Sequence, residues 1–244
     1  MPDQHLDPIV AATYDRRVAE RFDPDLLDAT TEQLAELADR GRALEFAIGT
    51  GRVALPLATR GIDVHGIELS EPMLDQMRAK PGGDTIPVAV GDMTTTRVPG
   101  EFSLVYLVFN TIGNLTTQAG QVACFRNAAA HLSPGGHFVI EVGVPDPPRR
   151  HDPSPFRPFS MSDEHIGIDE FVDPIEQVFI SHHYRPKDPE GGRVSGRFRY
   201  VWPSELDLMA QLAGMELVHR WAGWNREAFT GSSPSNISVW RLAS

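Results

Sequence analysis

The sequence predicts a doubly wound α/β fold: a mostly parallel seven-stranded sheet with an inserted antiparallel hairpin lid. Three observations carry this expectation. Between residues 42 and 142, short apolar segments alternate with segments of helical spacing, the rhythm of parallel strands joined by right-handed crossovers. A small-residue turn, Gly49-Thr50-Gly51, stands at the first strand-to-helix junction. After residue 143 the rhythm breaks into a proline-rich stretch and two strand-like runs around a Gly-Gly turn.

The first forty residues read mostly as helix and form an N-terminal cap (1–40). Asp23-Pro24 breaks it into a segment ending near Phe22 and one starting near Asp25. Leu26, Leu27, Leu34, Leu37 and Ala38 recur at helical spacing in the second. Strands follow at Ala43–Ala47, Asp63–Leu69, Ile86–Val90, Phe102–Phe109 and His137–Val142. The fourth is apolar except for Ser103, as a strand buried on both faces should be. Helices read at Arg52–Arg60, at Pro72–Lys80 with Ser70 as N-cap, and at Gln118–Leu132, with Ser133-Pro134-Gly135-Gly136 as a turn. Prolines at 145, 147, 148, 153, 155 and 158 predict a loop or lid, and Glu176–Arg185 with Arg193–Trp202 a hairpin turning over 187–192. A helix from Pro203 to Ala213 and strands Glu216–Trp221 and Asn236–Leu242 close the chain. The core is thus 41–143 with 203–244, and 144–202 is an inserted lid.

A chain of 244 residues with 41% hydrophobic residues can bury a large core without disulfide or metal support. Its single cysteine, Cys124, excludes an intrachain disulfide and a cysteine-ligated metal cluster, and fits a cytoplasmic setting. No metal site is expected. The 33 acidic residues against 22 basic ones give a net charge of -11, opposite to the basic footprint of a nucleic-acid binder. Met1-Pro2-Asp3-Gln4 lacks the basic start of a signal peptide, and the longest apolar run in the strand-like segments, Leu104–Phe109, is far too short to span a membrane.

Three features converge on the C-terminal ends of consecutive strands, where doubly wound sheets bind ligands. Glycines 49 and 51 let backbone approach a ligand closely, ahead of a helix with free N–H groups. Glu68 ends the second strand and can accept hydrogen bonds from both hydroxyls of a ribose. Asp92, in Gly91-Asp92-Met93, can accept from an adenine amino group while Met93 packs on the ring.

Glu45-Phe-Ala-Ile-Gly-Thr-Gly51, Gly66-Ile-Glu-Leu-Ser70-Glu-Pro-Met-Leu74, Gly91-Asp92-Met93 and Leu132-Ser-Pro-Gly-Gly136 resemble, in order and spacing, the motifs of class I S-adenosylmethionine-dependent methyltransferases. These enzymes have a Rossmann-like fold. The resemblance covers about residues 40 to 142 and implies S-adenosylmethionine as cofactor, with S-adenosylhomocysteine as product. It implies that Ala47, Gly49 and Gly51 face the methionine part, that Glu68 holds the ribose, that Leu69, Met73, Asp92 and Met93 flank the adenine, that Phe109 and Asn110 lie near the sulfonium, and that Glu45 and Arg52 also belong to the cofactor site. Tyr14, of the pair Tyr14-Asp15, is similar to a tyrosine that closes over the methyl donor. Ala47 departs from the family, where many members have glycine. A nicotinamide dehydrogenase is the rival for any glycine turn, and Ala54, three residues after Gly51, leaves that loop permissive; the Gly-Asp-Met and Pro-Gly-Gly motifs favour the methyltransferase.

The acceptor is less legible. The segment Arg199-Tyr200 through Pro203-Ser204-Glu205-Leu206, then Ala213-Gly214, resembles the tail of actinobacterial small-molecule methyltransferases, including some that act on amino sugars. The expected acceptor is therefore a small molecule methylated at O or N, in secondary metabolism. RNA or protein methylation, or cofactor binding without methylation, are the alternatives, and a homodimer is the expected protein partner if any. In the hairpin, Val178, Ile180, His182 and Tyr184 share one face by period two, and Phe198, Tyr200 and Trp202 share one face of the partner run. If the two faces coincide they form an aromatic wall on which His182 or Tyr184 would orient or deprotonate the acceptor, with His183 solvated and His151 and His165 as lid candidates; the alternative is a packed structural hairpin or dimer surface with His182 hydrogen-bonded.

Overall fold

Strand β1 (Ala43–Phe46) is buried along its whole length, and its neighbours explain why. It lies between β2 (Val64–Glu68) and β4 (Phe102–Leu107), parallel to both, in a computed structural model that describes residues 8–148, 152, 154–187 and 192–243. With β3 (Val88–Val90), β5 (Leu132–Gly143), β10 (Met215–Trp221) and β11 (Ser235–Leu242) these strands form a seven-stranded sheet in the order β10-β11-β5-β4-β1-β2-β3. Strands β1 to β5 are parallel, and β11 runs antiparallel beside β5. The chain leaves β1 toward β2 on one side and reaches β4 on the other, so the order reverses at β1/β4. That reversal opens a crevice at the C-terminal strand ends.

Helices cover both faces. One face of the sheet packs on α5 (Gln118–Ala129) and α6 (Pro203–Leu212) through Cys124, Phe125, Ala128, Leu206 and Met209. The other packs on α2 (Pro24–Ala38), α3 (Ala54–Thr59) and α4 (Glu71–Arg78) through Leu34, Ala38, Leu57, Leu74 and Met77. Local signals set the helix starts. The Asp23 side chain accepts from the N–H groups of Asp25 and Leu26 ahead of α2, Ser70 caps α4 and Thr117 caps α5. Helix α1 (Pro8–Arg17) and the 3-10 turn Ala19–Phe22 precede them. Ser133 to Gly136 is not a turn ahead of β5 but a bulge within it: Phe102 pairs with Leu132, and Leu104 already pairs with His137.

The region 144–202 holds more strand than its prolines suggest. Strands β6 (Phe156–Met161), β7 (Ile166–Asp173), β8 (Val178–Arg185) and β9 (Gly192–Arg199) make an antiparallel four-stranded sheet in that order. The expected hairpin is its β8–β9 half. Pro158 is accommodated because β6 is an edge strand that bulges there. Residues 188–191 of the expected turn, and His151, lie outside the described residues. No helix among the described residues is long and apolar enough to cross a membrane.

Candidate active site

Beyond β1 the chain turns through Ala47, Gly49 and Gly51 with φ of 52°, 58° and 76°. A side chain at Gly51 would come within 2.7 Å of Met77 Cγ, so glycine is required there for space as well as conformation. Ala47 adopts the left-handed region at a cost of about 1–2 kcal/mol to a non-glycine residue.

Glu68 secures this loop. It is 6% exposed and accepts from the Gly49 and Ser70 N–H groups, each at 2.8 Å. An ionised carboxylate offers about four lone-pair sites, so it can accept two further donors. Helix α1 is tied to the same loop: the Thr50 hydroxyl donates to Asp15 at 2.6 Å, and Lys80 donates to the Thr50 carbonyl at 2.8 Å. This tie brings Tyr14 to the loop, where burial holds its phenol above the ordinary range against the opposing pull of Arg52. On the far side, Asp92 Oδ1 accepts from the N–H and the hydroxyl of Thr94, both at 2.7 Å, which fixes the carboxylate at an exposed rim.

These elements enclose a cavity of about 430 Å³, within the roughly 300–1,000 Å³ of small-molecule sites. Of the residues singled out from the sequence, the structure brings Tyr14, Ala47, Gly49, Glu68, Leu69, Met73, Asp92 and Met93 to its wall. Five others lie off it. Glu45 is buried in the sheet, accepts from the Tyr106 hydroxyl at 2.9 Å and has its carboxyl raised to about 8, by burial first. Gly51 faces α4. Arg52 donates to the Arg21 carbonyl at 3.2 Å. The Phe109 ring lies under the Arg21 guanidinium at 4.6 Å, with Arg52 at 5.5 Å. The Asn110 side chain accepts from the Gly143 N–H at 2.7 Å.

The wall also contains residues that the sequence reading missed. The 3-10 turn Thr111–Asn114 and the segment to the start of α5 contribute Thr111, Asn114, Leu115, Thr116 and Thr117. A signal was present: Thr111-Ile-Gly-Asn114 follows the fourth strand, as the glycine turn follows the first. Gly113 marks a tight contact, since a Cβ there would lie 3.2 Å from the Arg199 carbonyl and 3.9 Å from Phe198.

The acceptor-side expectation fails on register. Phe198 pairs with Phe179, and His182 pairs with Ser195. Directly opposed residues share a face, so the aromatic side chains share a face with Ser181 and His183, opposite His182 and Tyr184. Phe171, Phe179, Phe198 and Tyr200 form one ring cluster with neighbouring centroids 5.5 to 6.5 Å apart. His182 spends its hydrogen bonds within the four-stranded sheet, on Ser195 at 2.7 Å, Glu170 at 3.0 Å and Arg193 at 3.1 Å. Tyr184 is 47% exposed. Neither lines the cavity. His183, expected in solvent, is half-buried instead and stacks on His165.

The protein family described as methyltransferase domain matches residues 43–136. A methyltransferase from Streptomyces caelestis of solved structure, CcbJ, is 37% identical, with 91% of each chain covered and a TM-score of 0.78. The chain belongs to the class I S-adenosylmethionine-dependent methyltransferases. Two curated relatives extend the comparison. The dTDP-3-amino-3,4,6-trideoxy-alpha-D-glucopyranose N,N-dimethyltransferase of Streptomyces venezuelae is 33% identical over 117 residues, 48% of this chain and 46% of that enzyme. The cypemycin N-terminal methyltransferase of a Streptomyces species is 25% identical over 208 residues, 82% of this chain and 83% of that one. The chain spans less than half the length of two of the curated relatives it matches, 44% and 46%.

The cofactor of this family is S-adenosylmethionine, and the cavity suits it chemically. Glu68 offers a buried carboxylate to paired hydroxyls, Asp92 an acceptor at the rim, and Leu69 and Met73 apolar surface for a flat ring.

Proposed function

We propose that the chain methylates a nitrogen of a small amine-bearing molecule. S-Adenosylmethionine supplies an electrophilic methyl group when bound, and the protein must align the acceptor lone pair and exclude water. In this reading Glu68 holds the ribose, Asp92 and Met93 flank the adenine, and Tyr14 covers the methionine end. Asn114, Thr116 and Thr117 offer hydrogen-bonding groups to the acceptor.

The observation that carries the choice of nitrogen is the composition of the wall. Its titratable side chains among the described residues are Tyr14, Glu68 and Asp92. The first is held protonated by burial, Glu68 accepts from backbone donors at the ribose position of this reading, and Asp92 is held by Thr94 at the rim on the adenine side. An alcohol acceptor needs a base at that wall; a neutral amine brings its own lone pair. The amine acceptors named for the two curated relatives support the same reading, as does the acidic charge against RNA as substrate. A cytoplasmic location belongs to the proposal, resting on the single buried cysteine.

The test is incubation with S-adenosylmethionine and panels of amino sugars, amino-sugar nucleotides and peptide α-amines, read by mass spectrometry. Mass gain of one or two methyl groups on an amine is the expected result. Transfer to hydroxyl-only analogues at equal rate, or to tRNA alone, overturns it.

A further inference from the structure

A second group of polar residues lies where the aromatic-bearing face of the four-stranded sheet meets the end of α1. Arg185 of β8 donates to the main-chain carbonyl of Arg17, the last residue of α1. His183 stands two residues before Arg185 on the same face and stacks on His165 with ring centroids 5.2 Å apart. The rings share a hydrogen bond, His165 Nε2 to His183 Nδ1 at 3.0 Å, and His183 Nε2 lies 3.3 Å from the Ser181 hydroxyl. Phe159 flanks both rings.

The charge here is unbalanced. In a chain with 33 acidic and 22 basic residues, several arginines find a carboxylate. Arg42, Arg60, Arg199, Arg220 and Arg241 each do. Arg17 and Arg185 do not among the described residues, and Arg17 Nε is buried without a hydrogen-bond partner. Among the described residues, the carboxylate acting on the histidine pair is Glu20, which is exposed. The imbalance acts on His183, whose imidazole is pushed down to about 4 by burial, then by His165, Arg185 and Arg17. Two guanidinium groups without a carboxylate partner, beside two imidazoles, suit a multidentate oxyanion.

We propose that Arg17, Arg185, His165 and His183 form an oxyanion subsite that takes a phosphate or diphosphate ester. Arg17 lies three residues beyond Tyr14, so its side chain is about one helical turn from the cavity wall. One acceptor molecule can therefore present its amine at the cavity and its phosphate at Arg17. The subsite rests on the small-molecule reading for the identity of its natural ligand, and its test does not require turnover.

The test uses the full chain with labelled histidine rings, followed by NMR during titration with inorganic pyrophosphate, glucose 1-phosphate, glucose and acetate. Pyrophosphate and glucose 1-phosphate are expected to move the His165 and His183 signals and to raise the His183 midpoint, because a bound anion favours the imidazolium. Glucose and acetate should leave both signals in place. Arg17→Gln should weaken pyrophosphate binding at least tenfold with S-adenosylmethionine affinity retained; Arg185→Gln should also weaken it, but that variant additionally loses the bond to the end of α1. Unmoved His183 signals at millimolar pyrophosphate, an equal response to acetate, or an unchanged affinity in Arg17→Gln would each overturn the subsite. Pyrophosphate binding in a protein that methylates no amine would support the subsite and count against the amine reading alone.

Discussion

The C-terminal rim of the seven-stranded sheet and the four-stranded sheet are held together by different means. At the rim, backbone does the holding: the Gly49 and Ser70 N–H groups end on Glu68, and strands beneath it are buried on both faces. In the four-stranded sheet only the side chains of Val178, Ser181 and Arg199 are buried among the described residues. A charged cluster fastens it, in which Arg199 donates to Glu205 at 2.7 Å, Gln177 at 2.8 Å and Gln121 at 2.5 Å, and Arg185 adds a bond to the end of α1. A preformed rim suits a constant cofactor. A sheet attached at few points can change its surface without disturbing that rim, which suits the variable half of the reaction.

The sharpest way to break this contrast is to cut the fastening. Arg199 is 3% exposed, so Arg199→Ala removes a buried charge and leaves half-buried Glu205 with only the Gln118 and Gln177 amides; it should lower stability by about 3 kcal/mol. S-Adenosylmethionine affinity should stay within about tenfold, 1.4 kcal/mol, while methyl transfer falls further. Denaturant unfolding and calorimetry together check this. Equal losses in both would mean that the two regions form a single cooperative site.

The reverse experiment is at the rim. Glu68→Ala removes the acceptor of two N–H groups as well as a ribose partner. Each charge-assisted bond is worth roughly 1.5–3 kcal/mol. Loss of S-adenosylmethionine affinity by about tenfold to a hundredfold is expected, from a wild-type dissociation constant in the micromolar range, about 8 kcal/mol. A measurable loss of stability should accompany it, since Glu68 also organises the loop through the Gly49 and Ser70 N–H groups. Unchanged affinity in calorimetry would reduce Glu68 to a scaffold residue.

The same contrast governs what could be read in advance. Rim residues sit at strand ends, where order along the chain maps directly onto order in space; hence Gly49, Glu68 and Asp92 were identifiable as one constellation. Residues 109 and 110 were misjudged by a short distance. Phe109 and Asn110 both take left-handed conformations, and that double turn directs the next residues, Thr111 and Asn114, to the cavity. In the four-stranded sheet, period-two spacing correctly groups residues within a strand but cannot say which face of the next strand they join. Register decides that, and a one-residue difference exchanges His182 for His183. Strands β6 and β7 were hidden by the prolines and by polar, half-exposed faces.

Protonation separates the regions more gently. The Glu45 carboxyl is raised from 4.5 to about 8, chiefly by burial, while the Tyr106 bond opposes the shift. A group with a raised folded pKa stabilises fully below its unfolded value and loses that contribution as pH rises through the folded one. Stability should therefore fall between about pH 5 and 8, by at most about 1.4 kcal/mol per pH unit from this group. Glu45→Gln should flatten that slope in denaturant unfolding across the range. An unchanged slope would show that Glu45 ionises normally.

The smallest effect tests the face assignment itself. His182→Ala removes bonds to Glu170 and Ser195 that lie on the face opposite the aromatic cluster. Those are half-buried contacts, and their loss should cost about 0.5–1.5 kcal/mol of stability. Methyl transfer to an amine found by the acceptor screen should change by no more than about twofold, the scatter expected for an independent site. Phe198→Ala is the companion on the other face. It removes a ring that touches both Phe179 and the turn at Gly113, whose neighbours Thr111 and Asn114 line the cavity. Its effect should appear mainly in the Michaelis constant for the acceptor, with cofactor affinity unchanged. If His182→Ala abolishes transfer while Phe198→Ala is silent, then the working enzyme presents the opposite face of β8 to its substrate, and β8 and β9 pair in another register when it acts.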